Sequence, residues 1–198
     1  MMVNENNNYN RTISNFDSDT DTDIFDHTYQ IGTLEILNTS FKKELVQTTD
    51  NTFFLSHDEN GDPSHLGSIF LDYRNQLTDR KLLIYGHNSR TIKEAPFHFL
   101  ENYLNYDFGK KYNLLLLEID GDFFYYQLFT VMIVTDDFQH MNLNWSDTGY
   151  NQHVAWLKNS SIFYFDTSVS GNDSILLFQT CYYEPEHSYL LVGWKKIT

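Results

Sequence analysis

Ser174-Ile-Leu-Leu-Phe-Gln-Thr-Cys181-Tyr-Tyr183 is the stretch on which the reading of this chain turns. The apolar run Ile175 to Phe178, bounded by polar residues and too short for a helix, reads as a buried strand. It delivers the only cysteine, Cys181, at its C-terminal end. A second run, Tyr189-Leu-Leu-Val192, follows a loop containing Pro185. A strand end is a rigid place from which to present a nucleophile, and a thiol becomes one when a nearby base or cation favours the thiolate. The competing reading makes Cys181 a small buried hydrophobe, the common fate of free cysteines. A second stretch, Leu82-Leu-Ile-Tyr-Gly86-His87-Asn88, bears on that choice.

The 198 residues suffice for one domain with a full core. Tyr 14 and Phe 16 against Pro 3 and Gly 9 favour strands over a helical bundle. Lys+Arg 13 against Asp+Glu 27, a formal charge of −14, argues against nucleic acid or an anionic membrane surface as partner. It suits a cationic or amine-bearing substrate. One cysteine excludes an internal disulfide. No apolar run has transmembrane length and the N-terminus lacks signal-peptide features, so any membrane anchor is expected upstream.

Residues 1–30 are rich in Asn, Asp and Thr and read as an acidic, flexible arm. The alternating Asp17, Asp19, Asp21 and Asp23 invite a calcium loop, but a loop starting at Asp17 or Asp19 lacks the required Gly and Glu. From residue 31 to 198 one barrel domain is expected. Strands are read at Gly32–Leu37, Phe41–Gln47, Gly67–Asp72, Lys81–Tyr85, Tyr112–Ile119, Phe123–Val134 and in the two closing runs, with a short one at Ile162–Phe165. Asn51–Leu55 is a helical turn or a strand. Asp120-Gly121 is a hairpin turn. Pro96–Tyr106 and Gly149–Lys158 carry apolar residues at helical spacing, the second capped by Asp147 or Thr148. About eight closely spaced strands with two short helices favour a small closed barrel or a sandwich.

Among the eight histidines, His87 stands apart because it follows Gly86 directly after a buried strand. Glycine there permits a tight turn or close backbone approach that lets a ring project into a cleft. His57 and His65 read as solvated, His98 sits in a helix, and His140 and His153 lie among polar residues. A thiol–imidazole pair supports covalent acyl transfer. His187, six residues after Cys181, is a rival partner. A metal site is disfavoured, since no C-x-x-C or H-E-x-x-H spacing is present, and no cofactor is called for.

Several motifs together resemble the sortases, class B most closely. Ile84-Tyr-Gly-His87-Asn88 is similar to the family's strand-end histidine motif. Gln179-Thr-Cys181, with Leu177 and Phe178 before it, is similar to its T-L-x-T-C nucleophile motif. Val46-Gln47, Asp50-Asn51, Leu55 and Gly67-Ser-Ile-Phe-Leu-Asp-Tyr-Arg-Asn75 extend the likeness over residues 31–198. The resemblance implies a mainly β fold, an eight-stranded sortase-type barrel with a few short helices, one between the sixth and seventh strands. It implies a cysteine transpeptidase that cleaves a C-terminal sorting signal after Thr through a thioester on Cys181, with His87 as general acid/base. Gln179 and Tyr182 would border the signal-binding groove. The acyl group would pass to an amine of a peptidoglycan precursor or pilin. Such enzymes act, here as an expected monomer, on the outer face of a Gram-positive cell, tethered by a helix that this sequence lacks.

One departure matters. The family carries an Arg at the start of the last strand, and no Arg follows Cys181 here. The residues before the last apolar run are Glu186-His187-Ser188. His187 and Ser188 are the nearest stand-ins, with Lys195 and Arg90 further candidates. Three readings stay open: a transpeptidase, a sortase-like module that binds a peptide with weak or no turnover, and a hydrolase in which water replaces the amine.

Overall fold

The computed structural model describes residues 29–135 and 138–197. Of the expected acidic arm, residues 1–28 lie outside the described residues, as do the four alternating aspartates within it. The described chain forms strands β1 (Gln30–Ile36), β2 (Lys42–Val46), β3 (Phe70–Leu71), β4 (Lys81–Tyr85), β5 (Leu114–Ile119), β6 (Asp122–Thr135), β7 (Ile175–Tyr182) and β8 (Ser188–Lys196). They close into one barrel in the order β1-β2-β3-β4-β7-β8-β6-β5, and β1 completes the ring by pairing antiparallel with β5. Closure leaves no unpaired sheet edge. The fold is mainly β and eight-stranded, as the strand spacing and the resemblance led one to expect.

Two contacts are parallel, β2 with β3 and β4 with β7. A parallel pair needs a long crossover. The chain between β4 and β7 supplies it with β5, β6 and two helices, α1 (Tyr106–Lys111) and α2 (Asp147–Asn159). The β5–β6 hairpin turns at Asp120 (φ 52°) and Gly121 (φ 85°), the two left-handed residues a tight hairpin requires. The long β6 pairs first with β5 and then with β8, shifting register between Leu128 and Thr130. That irregularity bends it from one neighbour to the other.

The unbroken apolar runs of β4 and β7 follow from burial on both faces. Leu82, Ile84, Leu176 and Phe178 point into the barrel, where Trp194 is wholly enclosed and Tyr103 meets it edge-on at 5.5 Å. Leu83, Tyr85, Ile175 and Leu177 point outward and are covered by Tyr150, Val154 and Leu157 of α2. α2 therefore lies where expected, between the sixth and seventh strands. Ser146 caps it, not Asp147 or Thr148, by accepting from the Gly149 N–H at 3.1 Å.

Local readings changed in three places and narrowed in a fourth. His98–Leu104 is a 3-10 helix, and Asn105 then caps α1 by accepting from the Phe108 N–H at 3.1 Å. One apolar stripe thus serves two short elements. Asn51–Leu55 resolves into a single 3-10 turn, Phe53–Leu55. The strand expected at Gly67–Asp72 pairs only at Phe70 and Leu71, because Gly67 turns with φ +62°. Ile162–Phe165 pairs with nothing as a strand. Its Phe163 and Phe165 pack instead against Tyr106 at the barrel end, so the alternation there serves packing.

Gly86 continues β4 where the Phe97 ring lies flat on the backbone, and a Cβ there would sit 2.8 Å from Phe97 Cδ2. Gly86→Ala is expected to destabilise the fold by about 1–3 kcal/mol, the usual cost of overpacking. Urea unfolding read by intrinsic fluorescence measures it, and an unchanged midpoint would contradict this packing.

Candidate active site

The last paired residues of the parallel ladder are Tyr85 on β4 and Gln179 on β7. Two steps further along each strand come His87 and Cys181, and both line one cavity of about 300 Å³. Its other walls are largely apolar, among them Leu55, Phe70, Tyr85, Met141 and Tyr189. Cys181 is exposed to it near the end of β7.

Where the backbone ladder ends, side chains continue it. Thr180 Oγ1 donates to the Gly86 carbonyl at 2.7 Å. Asn88 Nδ2 donates to the Cys181 carbonyl at 3.1 Å and to Glu101 Oε1 at 2.7 Å. The Tyr183 hydroxyl donates to the Asn88 carbonyl at 2.8 Å. Asn88 is buried, and its Oδ1 accepts from the Ser89 N–H at 2.7 Å. Each polar group in this seam therefore has a partner, which gives the two strand ends one geometry.

His87 is held by its ring. Nε2 lies 2.8 Å from the Leu55 carbonyl oxygen, which can only accept, so the proton sits on Nε2 and the lone pair of the neutral ring is on Nδ1. Gly67 makes room for it, since a Cβ there would stand 3.0 Å from His87 Cδ2. Burial pushes the Cys181 thiol up, against a smaller pull from its own backbone N–H. The empty groove thus favours the neutral thiol.

Known proteins share both sequence and architecture with this chain. Sortase B of Listeria monocytogenes is 29% identical over 160 residues, 79% of this chain. Sortase B of Staphylococcus aureus is 28% identical over 156 residues, 76% of this chain. The alignments span 64% and 62% of those relatives, a little under two thirds of their length. The crystal structure of Clostridium perfringens sortase B superposes with a TM-score of 0.80 at 25% identity, covering 87% of this chain and 96% of that one. In sequence and in architecture the chain is thus similar to class B sortases. No protein-family model matches it.

The other expected site residues fall into distinct places. Gln179 is buried in the cavity wall, where its Oε1 accepts from His140 Nε2 at 2.8 Å. Tyr182, His187 and Ser188 line a neighbouring cavity of about 420 Å³ that Cys181 also borders. Ser188 spends its hydroxyl inside the β7–β8 turn, 3.0 Å from the Tyr182 carbonyl and 2.6 Å from that of Pro185. Lys195 pairs with Ile175, at the opposite end of β7 from Cys181, and is tied to Asp173 at 3.2 Å. Among the described residues no group of three His, Cys, Asp or Glu is placed to hold a metal.

Two supports of the groove escape a reading by spacing. Asp72 is fully buried and accepts from Arg74 Nε at 2.9 Å, Arg74 Nη2 at 2.7 Å, Tyr85 Oη at 2.8 Å and Asn51 Nδ2 at 3.0 Å. Burial pushes its carboxyl up, but the bonds from Arg74 and Tyr85 and the Arg74 charge outweigh it and hold the carboxyl below its usual range. Asn51 and Tyr85 line the cavity, so this carboxylate anchors two of its walls.

The second support is Lys81, almost wholly buried, whose ammonium donates to the carbonyls of His140 (2.5 Å) and Asn142 (3.0 Å) and to His153 Nε2 (3.0 Å). His140 and His153, read from sequence as lying among polar residues, are buried. Lys81 holds the loop that brings Met141 to the cavity, and Arg74 Nη2 donates to the Met141 carbonyl at 3.1 Å. Burial, then the Arg74 charge, pushes Lys81 down to about 7, partly countered by Asp72. Burial, then the Lys81 charge, pushes His153 down to about 3. With three acceptors around its ammonium, Lys81 keeps the shared proton. His153 then accepts at Nε2 and stacks between Trp145 (4.6 Å) and Trp156 (5.6 Å).

Asp72→Ala leaves Arg74, Tyr85 and Asn51 without their acceptor and is expected to cost about 3–5 kcal/mol, measured by chemical unfolding. A histidine that resists protonation when folded takes up a proton on unfolding. His153 therefore contributes stability above the ordinary histidine value that is lost as pH falls from there toward about 3. His153→Gln keeps an acceptor for Lys81. It is expected to flatten the fall in melting temperature between pH 7 and pH 4.5, and an unchanged slope would count against a neutral buried His153.

Proposed function

We propose that this chain is a class B sortase, a cysteine transpeptidase acting on a C-terminal sorting signal. The observation that carries the reading is that Cys181 and His87, from adjacent parallel strand ends, line one peptide-sized groove. As Cys181 Sγ attacks the carbonyl carbon of the signal's Thr, its thiol proton passes to His87. The carbon–nitrogen bond breaks and the resulting imidazolium gives that proton to the leaving amine, leaving a thioester and a neutral ring. An incoming amine then attacks the thioester as His87 takes its proton. A new amide forms, the thiolate leaves, and the proton returns from His87 to sulfur, restoring the starting state. Gln179 and Tyr182 border the bound peptide on either side of the nucleophile. The acceptor is an amine of a peptidoglycan precursor or pilin subunit, and the work is done on the outer face of a Gram-positive cell. Among the described residues no helix is long and apolar enough to cross a membrane.

A second reading, a peptide-binding module with weak or no turnover, draws on the raised Cys181 thiol and on a last strand without arginine. The two differ in whether an acyl-enzyme forms. With a fluorogenic Asn-Pro-x-Thr peptide, the parent protein is expected to show a thioester mass shift at Cys181. It should also release product faster with an added amine. Cys181→Ala abolishes the adduct, and His87→Ala slows its formation about a thousand-fold. Cleavage unaffected by amine would indicate the hydrolase. Binding without an adduct in the parent would leave the binding module.

A further inference from the structure

Attack on a peptide carbonyl puts negative charge on its oxygen, and donors aimed there are worth about a hundred- to a thousand-fold in rate. β8 supplies none of full charge at this end. Tyr189 faces Cys181 and Ser188 faces Tyr182 across the ladder, and the Ser188 hydroxyl is spent within the turn. Lys195 sits six residues back along the register, roughly 20 Å away.

Among the described residues lining either cavity that Cys181 borders, one carries a permanent positive charge, Arg90. It stands three residues after His87, in the loop that leaves β4. Its Nη2 donates to the Tyr183 carbonyl, and its guanidinium carbon lies 5.2 Å over the Tyr183 ring. Tyr183 in turn bonds Asn88, and Asn88 bonds the Cys181 carbonyl. The guanidinium is therefore fixed relative to the nucleophile by a short chain of contacts. One of its five N–H groups is used by Tyr183, which leaves others for a peptide in the 420 Å³ cavity. Burial, then the charges of Glu184 and Glu101, opposes ionisation of Tyr182, and Arg90 is the cation that partly counters them there.

We propose that Arg90 is the guanidinium that holds the sorting peptide across Cys181, supplied from the histidine side of the groove in place of the last strand. The inference rests on the reading of Cys181 as an acyl-transfer nucleophile, and its test separates the two. The probe is the Asn-Pro-x-Thr peptide in two arms: binding by fluorescence anisotropy in the Cys181→Ala background, and single-turnover acylation of the otherwise unchanged protein. Arg90→Gln is expected to weaken binding about ten-fold and to slow acylation about a hundred-fold, with the melting temperature unchanged. Arg90→Lys should recover part of each loss, and added methylguanidine should restore acylation in Arg90→Ala, which a merely structural role would not allow. Binding and acylation indifferent to Arg90→Gln, or a larger loss in His187→Gln, would overturn the proposal. If the parent forms no acyl-enzyme yet binding depends on Arg90, the acyl-transfer reading falls while Arg90 stands as the peptide's anchor.

Discussion

Everything at the groove depends on the parallel pairing of β4 with β7. In a parallel pair both strands run out on the same side, so residues at equal distances beyond the last hydrogen bond emerge together. Were the pair antiparallel, the residues after Tyr85 would lie beside the start of β7, with Cys181 at the other end. The requirement for a crossover then explains why 93 positions separate Asn88 and its partner Cys181 in the chain. The intervening elements are spent on closing the barrel and covering the outer face of that pair with α2.

The barrel end is built on buried polar groups, most of which are paired, although His153 Nδ1 finds no partner among the described residues. Asp72 fastens Asn51 and Tyr85 from one side, and Lys81 with Arg74 fastens the loop carrying Met141 from the other. Buried charges add little net stability compared with apolar packing, but removing one partner is costly. Their effect here is geometric: an apolar groove lined by loops keeps its shape because each loop ends on a charge-assisted bond. Few apolar contacts would hold carbonyls such as those of His140, Asn142 and Met141 in register with a strand.

The barrel was legible in the sequence because most strands bury alternate residues and the central two bury every residue, and either pattern survives in a linear reading. That Cys181 and His87 come to line one cavity was legible for a related reason: each closes an apolar run. His140 and His153 were misread because their neighbours in the chain are polar, while their neighbours in space are Lys81, Gln179 and two tryptophans. No local pattern announces a buried lysine, since its three acceptors come from residues 59 to 72 positions away. The 3-10 helix at His98–Leu104 and the unpaired Ile162–Phe165 failed for a different reason. There the apolar spacing was real, but a barrel end accepts it without regular hydrogen bonding.

The acidity of the chain acquires meaning at Arg90. With a formal charge of −14, an approaching carbonyl or thiolate meets a generally unfavourable field. Glu101 and Glu184 make that field worse beside Tyr182. A thiol already raised by burial stays protonated in such surroundings. A single guanidinium held over Tyr183 sets one positive charge beside the groove, and under the proposed acyl transfer the remaining acidity would draw an amine toward the thioester. Placing that cation on the β4 side also ties it, through Tyr183 and Asn88, to the backbone of Cys181 in the seam where β4 and β7 end.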